Sequence, residues 1–247
     1  MLLRDTDGDE IRLDAHRWHG EVDPDERAVL GALSGPVLDV GCGPGRVVVD
    51  FGRRGVPSLG VDPAPGAVRL ARQRGATVLQ RSVFDRLPAE GRWGAVVLLD
   101  GNVGIGGDAV RLLARCRHLV ALDGTILVEV DAPGSGWRTR RVRVEHGGEV
   151  GPWFDWVVVG ADAIGMVAGV AGLRLERLEH AGGRWFAHLT RAERVAGRHP
   201  ERGHGGHGSS DPGDRRHAEA HPSDGRHAHV DPSDRRHAFP ERRRAGH

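Results

Sequence analysis

Residues 37–45 read Val37-Leu38-Asp39-Val40-Gly41-Cys42-Gly43-Pro44-Gly45, and the fold is decided there. A short run of buried-strand character meets glycines at 41, 43 and 45, and residues 46–54 then take up helical spacing. A strand, a tight turn and a helix in that order let the backbone turn sharply and approach a ligand without Cβ atoms in the way. Such a unit binds a nucleotide-like cofactor. The dinucleotide fingerprint GxGxxG would put its third glycine at position 46, which is Arg46 here, so the spacing is GxGxG. Asp39, two positions before the first glycine, would repel a pyrophosphate and suits a cofactor that carries an ammonium and a sulfonium.

Outward from this turn, apolar runs and helical patterns alternate, the sign of an α/β sheet with parallel strands. Asp23 before Pro24 predicts an N-cap and a first helix over 24–33. Strands are expected at 56–61, 76–80, 95–99 and 124–130, and a helix at 64–74 closed by Gly75. Asp108 caps a helix whose stripe Ala109, Leu112, Leu113, Cys116 and Val120 makes Cys116 a core residue. Simple alternation then stops. Two strand-like runs flank His146-Gly147-Gly148-Glu149, a turn with hairpin chemistry, which predicts a β-hairpin inserted over about 137–159. A helix at 161–171 and two last strands at 173–178 and 184–189 complete the pattern.

The segment LDVGCGPG resembles the first motif of the class I S-adenosylmethionine-dependent methyltransferases, a hydrophobic strand followed by DxGCGxG. The resemblance extends in element order over about residues 30–190. It implies a Rossmann-like fold: a mostly parallel seven-stranded sheet with the last strand antiparallel, helices on both faces, and the hairpin inserted after strand five. It also implies S-adenosyl-L-methionine as cofactor. By the same resemblance the cofactor contacts fall on Asp39, Gly41, Cys42, Gly43 and Gly45, on Asp62 and Pro63 after strand two, on Ser82 and Val83 after strand three, and on Asp100 after strand four. Asp62 would accept hydrogen bonds from the ribose hydroxyls. The family often has GDxxxLP after strand three, with the Asp on the adenine amino group. This chain has Ser82-Val83-Phe84-Asp85-Arg86-Leu87-Pro88, so either Ser82 or Asp85 takes that contact, with Phe84 as core or as an adenine wall.

Methyl transfer is an in-line displacement that needs alignment and exclusion of water more than obligatory catalytic side chains. Asp100 and Asn102, in the glycine-rich loop after strand four, are candidates to border the acceptor and orient a nucleophile. If a base is required, His16 and His19 are candidates in a lid before the first helix, and Glu129 and Asp131 are comparable ones at the end of strand five. The hairpin carries Trp137, Trp153, Phe154 and Trp156 with Arg138, Arg140, Arg141 and Arg143, which suits a planar or anionic small-molecule acceptor. The (Asn/Asp)-Pro-Pro-(Tyr/Phe) signature of methylation on DNA bases or glutamine is absent.

Composition agrees with this reading. The 35 basic residues, all arginine, against 34 acidic ones leave a net charge of +1, so no global field recruits nucleic acid. Cys42 and Cys116 form neither a disulfide framework nor a CxxC clip, and no apolar run has the length of a membrane span or leader, so a cytoplasmic protein is expected. Residues 1–23 form an amino-terminal segment, 24–192 the methyltransferase-like domain, and 193–247 a tail expected to be disordered, in which a ten-residue pattern returns at 211, 221 and 231. Nine of the fifteen histidines lie in that tail, which makes binding of nickel, copper or zinc on an inactive domain the rival function. An RNA methyltransferase is a third reading, weakened by a tail that over residues 198–247 has ten arginines, eight acidic residues and one aromatic ring.

Overall fold

The computed structural model describes residues 2–12, 15–146 and 148–192. In chain order the elements are β1 (Leu2–Asp5), β2 (Glu10–Arg12), α1 (Ala15–His19), α2 (Pro24–Gly31), β3 (Val37–Val40), α3 (Arg46–Arg53), β4 (Ser58–Asp62), α4 (Pro65–Gln73), β5 (Val78–Gln80), β6 (Trp93–Leu98), a 3-10 segment (Asn102–Gly107), α5 (Ala109–Leu119), β7 (Val120–Val130), β8 (Trp137–His146), β9 (Glu149–Val159), α6 (Ile164–Val170), β10 (Leu173–Ala181) and β11 (Arg184–Arg191). The histidine-rich repeats, the 193–247 boundary and the side chain of His16 lie outside the described residues.

Seven strands form the main sheet in the order β10-β11-β7-β6-β3-β4-β5. The five from β7 to β5 are parallel, and β11 runs antiparallel to both of its neighbours. This is the seven-stranded Rossmann-like sheet that the first motif implied. Strand order reverses at β3, with β4 on one side and β6 on the other, so a crevice opens at the carboxyl ends of these strands.

Alternation along the strands divides the core into layers. Leu38, Val40, Val96, Leu98, Ile126 and Val128 point to the face covered by α5 and α6. Val37, Ala95, Val97 and Leu127 point to the other, covered by Val29 and Leu30 of α2 and by Val47 and Phe51 of α3. Period-two strands thus supply both layers, and period-3.6 helices cover them. The expected caps are formed: Asp23 accepts from Glu26 N at 2.8 Å and Asp108 from Arg111 N at 2.9 Å. Cys116 is fully buried in the α5 layer.

The inserted hairpin is present as β8 and β9, but it does not stand alone. Residues read as an amino-terminal segment supply β1 and β2, and all four strands form a second, antiparallel sheet in the order β2-β1-β8-β9. Leu3 sits opposite Val144 and Asp5 opposite Val142, both from β1 and both buried. Strands of four and three residues with two charges each carry almost no periodic signal, and only their partner makes them strands.

Candidate functional site

The glycine turn is held from below by β4. Gly41 N and Cys42 N both donate to Val61 O, at 2.8 and 3.1 Å, and Gly43 N donates to Asp62 Oδ2 at 3.0 Å. The other Asp62 oxygen accepts from Ala64 N at 2.8 Å. Asp62 therefore ties the glycine turn to the start of α4. Burial raises its pKa, and the two backbone donors act against that shift.

The three glycines serve different neighbours. A Cβ on Gly41 would lie 2.7 Å from Asn102 Nδ2, and one on Gly45 would lie 2.8 Å from the Cβ of Ala76, so both make room for protein. Gly43, at φ +52°, has no protein atom within 4 Å of where a Cβ would stand.

Above this turn is an apolar cavity of about 250 Å³ lined by Gly41, Cys42, Pro44, Asp62, Pro63, Asn102, Ile105 and Phe154, among others. A second cavity of about 540 Å³ adjoins it, lined by Asp9, Glu10, Arg17, Asp100, Glu129, Asp131, Ser135, Arg138 and Arg140 with a few others. Trp18, Asp100 and Trp156 line both. They form the boundary between an apolar chamber and a charged one.

The second sheet is the wall of both chambers. On β9, Phe154, Trp156 and Val158 share one face and line them, as do Arg138, Arg140 and Val144 of β8. Trp137 and Trp153, one step out of phase, are exposed. Arg143 lies over the Trp153 ring at 4.9 Å and pairs with Glu145, and Arg141 reaches Asp155 at 3.8 Å. Arg140 is committed to Asp5 at 2.8 Å and Asp9 at 3.3 Å. The arginine cluster that suggested an anionic acceptor is thus largely spent within the protein.

Beneath the boundary lies a buried ring of charges. Arg46 pairs with Glu26 of α2 and, at 2.7 Å, with Asp100. Arg184 of β11 pairs with Asp100 at 3.3 Å, with Glu26 at 3.2 Å and, through Nε at 2.8 Å, with Glu129. Glu129 in turn accepts from Asp100 N. Asp100 adopts φ 54°, rare for a residue with a side chain, and the ring over-determines that conformation. Burial raises the Asp100 pKa, Arg46 lowers it and Glu129 raises it further. Asp39 stands beside the ring, 4% exposed. Burial pushes its carboxyl up to about 7, Arg46 pulls it down, and Asp100, Glu26 and Asp62 push it up.

Residues 37–124 match the family model described as a methyltransferase domain. By fold the chain has the Rossmann-like architecture of class I methyltransferases, and its central segment matches the methyltransferase-domain family. No curated protein matches it by sequence. Among solved structures, a SAM-dependent methyltransferase from Bacteroides fragilis in complex with S-adenosyl-L-homocysteine is similar at TM-score 0.66 and 21% identity, over 78% of this chain and 87% of the other. The 1,6-didemethyltoxoflavin-N1-methyltransferase of Burkholderia thailandensis is similar at TM-score 0.52 and 18% identity, over 68% of this chain and 75% of the other. A sugar N-methyltransferase from Streptoalloteichus is similar at TM-score 0.53 and 18% identity, over 71% and 88%.

The apolar chamber brings together Gly41, Cys42, Asp62, Pro63, Asp100 and Asn102 from the expected set. Asp39 is not on its wall; it lies buried under the turn. Ser82 and Val83 are not on the wall either. The Ser82 hydroxyl accepts from Phe84 N at 3.2 Å, and Asp85 accepts from Ser82 N. Arg115 of α5 holds the loop away by bonds to Val83 O and Asp85 O, while Arg111 covers the Phe84 ring at 4.4 Å. Neither alternative for the adenine contact faces the chamber.

The Asn102 amide is committed: its Nδ2 donates to Val40 O at 2.8 Å and Gly41 O at 3.0 Å, which latches the β6 loop onto the glycine turn. His19 is exposed and lines neither chamber; its carbonyl accepts from Arg74. Its neighbours Arg17 and Trp18 face the chambers instead.

Glu26, Arg46 and Arg184 were missed as site residues because buried ion pairs between distant elements leave no local pattern. Leu3 and Val144 could have been found only through the pairing of β1 with β8. Among the described residues, no group of three His, Cys, Asp or Glu side chains is placed to hold a metal, and no helix is long and apolar enough to cross a membrane.

Proposed function

We propose that the apolar chamber holds the methyl donor and that the charged chamber beside it takes a small-molecule acceptor. The observation that carries this reading is the shared boundary of Trp18, Asp100 and Trp156 between two cavities of opposite character.

The residues fit S-adenosylmethionine. Asp62 has two buried oxygens fixed by backbone donors, and its remaining lone pairs are available to ribose hydroxyls. Gly43 leaves open space where any other residue would place a Cβ. The apolar wall accepts a purine, and Asp100 supplies negative charge at the boundary. Asp39, Gly41, Cys42, Gly45, Pro63 and Asn102 shape the turn and its floor, and Ser82 and Val83 border it only if their loop moves inward.

The bound cofactor supplies an electrophilic methyl on a positive sulfur. The chain contributes alignment across the boundary and exclusion of water by Trp18, Trp156 and Phe154. The ion ring holds Asp100 in one orientation, so the boundary needs little reorganisation when an acceptor arrives. Similarity to enzymes named for a toxoflavin precursor and for a sugar supports an acceptor of that size. The buried free thiols Cys42 and Cys116 suit a reducing cytoplasm.

Calorimetric titration with S-adenosylmethionine and S-adenosylhomocysteine, with NAD as control, tests the cofactor. Micromolar binding of the sulfur compounds alone is expected; binding of NAD instead refutes the reading.

A further inference from the structure

The next step rests on the two-chamber reading and concerns the chemical class of the acceptor. The charges of the larger chamber are almost all paired within the protein. Glu10 meets Arg4 at 2.7 Å, Asp9 meets Arg140, Asp100 meets Arg46, Arg184 and, at 3.8 Å, Arg17, and Glu129 meets Arg184. Two groups remain. The Asp131 carboxylate, just past the end of β7, and the Arg138 guanidinium, near the start of β8, have no ion pair or side-chain hydrogen bond among the described residues. Both are exposed to the chamber.

The two are close without touching. Arg138 acts electrostatically on the Asp131 carboxyl, yet their charged atoms stand more than 4 Å apart. Their backbones are fixed in that relation: Asp131 exchanges hydrogen bonds with Val159 and Ala161, Gly160 N donates to Gly136 O at 2.7 Å, and Ser135 N donates to Ala132 O. The short connection 132–136 is therefore braced, and the gap between the charges is built into the main chain. Desolvation of the partly covered Asp131 carboxyl raises its pKa, as does the Glu129 carboxylate; Arg138 and Arg140 act the other way without pairing with it, so a cation in direct contact would complete a compensation that they leave partial. The same chamber presents the indoles of Trp18 and Trp156, which supply apolar contact.

We propose that the acceptor is an amino-acid-like zwitterion whose ammonium lies against Asp131, whose carboxylate lies against Arg138, and whose apolar part packs on Trp18 and Trp156. Each leftover charge then gains its counter-charge from the ligand. A ligand with only one of the two charges leaves the other group unpaired and loses the corresponding charge-assisted bond.

The test uses three probes of one shape on the full chain saturated with S-adenosylhomocysteine: phenylalanine, 2-phenylethylamine, which lacks the carboxylate, and 3-phenylpropionate, which lacks the ammonium. Calorimetry is expected to give phenylalanine an affinity about tenfold above either of the others. Asp131→Asn should lower phenylalanine to the level of 3-phenylpropionate and leave the latter unchanged. Arg138→Gln should lower phenylalanine to the level of 2-phenylethylamine. Thermal melts of both variants check that these exposed positions leave the fold intact. Equal affinity of a singly charged probe, failure of all three to bind, or a uniform effect of the variants on every probe overturns the proposal. The preceding titration separates the two readings. If S-adenosylhomocysteine does not bind, the two-chamber function falls; if it binds and the probes fail, only the zwitterion falls.

Discussion

Asp39→Asn provides a demanding check on the electrostatics under the glycine turn. The carboxyl of Asp39 is 4% exposed, and burial moves its pKa from the ordinary 3.8 to about 7. The folded chain thus keeps a proton that the unfolded chain releases near pH 4. Stability from this group is complete below about pH 4 and is lost as pH rises through about 7. A shift of about three units at about 1.4 kcal/mol each makes the full effect about 4 kcal/mol, of which about 3 kcal/mol falls between pH 5 and 8. Asparagine has nearly the same volume and stays neutral, so packing is preserved while the titration disappears. Asp131 also has a raised pKa, but it titrates in both proteins and cancels in the difference, whereas the repulsion of Asp39 by Asp62 and Asp100 is part of the shift that asparagine removes. Urea unfolding of wild type and variant at pH 5, 6, 7 and 8 should show the variant gaining about 3 kcal/mol relative to wild type across that range. Parallel curves would refute the reasoning. Asp39 would then be ionised in the fold, and its charge would again be available to attract a cationic cofactor.

Three further outcomes follow from the same geometry. Arg46→Met removes the partner of Glu26 and one partner of Asp100 inside the ring, and should lower the unfolding free energy by about 3–5 kcal/mol in urea; a loss below about 1 kcal/mol would mean that Arg184 alone sustains the ring. Asp62→Asn leaves one acceptor oxygen for two backbone donors, Gly43 N and Ala64 N, so calorimetry should find S-adenosylhomocysteine bound about 1.5–3 kcal/mol more weakly; unchanged affinity would remove Asp62 from the cofactor site. In Gly104→Ala the new Cβ would meet the Trp156 ring at 2.7 Å and Val157 O at 2.8 Å. Displacing that indole should lower stability by about 1–3 kcal/mol in thermal melts, together with turnover; a melt identical to wild type would show that Trp156 moves aside freely.

What the sequence reveals about this chain follows the range of the interactions involved. The turn at 41–45, the caps at Asp23 and Asp108 and the β8–β9 hairpin are local patterns found where their spacing puts them, and so is the stripe of α5 as far as Cys116, while Val120, expected on that helix, opens β7 instead. The place of Asp62 at the end of β4 was legible from the strand pattern, but its bonds to Gly43 N and Ala64 N depend on where the glycine turn folds back. The contacts of Asn102 could not be read from spacing, because an amide beside a glycine turn can serve a ligand or the turn, and only the fold shows its Nδ2 on Val40 O and Gly41 O. Trp156 and Trp153 could not be sorted until the β8–β9 register fixed which parity faces inward. The ion ring has no local trace at all: Glu26, Arg46, Asp100, Glu129 and Arg184 come from five separate elements, and sequence spacing says nothing about their meeting.

The position of β1 between β2 and β8 bears on how the chain folds and how it must be handled. Its strand-mate β8 begins more than a hundred residues later, so during synthesis the first residues wait for most of the Rossmann-like core before they find their slot. Removing or obstructing them, by truncation or a bulky fusion beside them, would leave the seven-stranded sheet unbroken. It would take Leu3, Asp9 and Glu10 from the walls and expose β8 as a bare edge ready to recruit another strand. A preparation damaged in this way would keep its seven-stranded sheet and yet aggregate through the very edge that β1 should have covered.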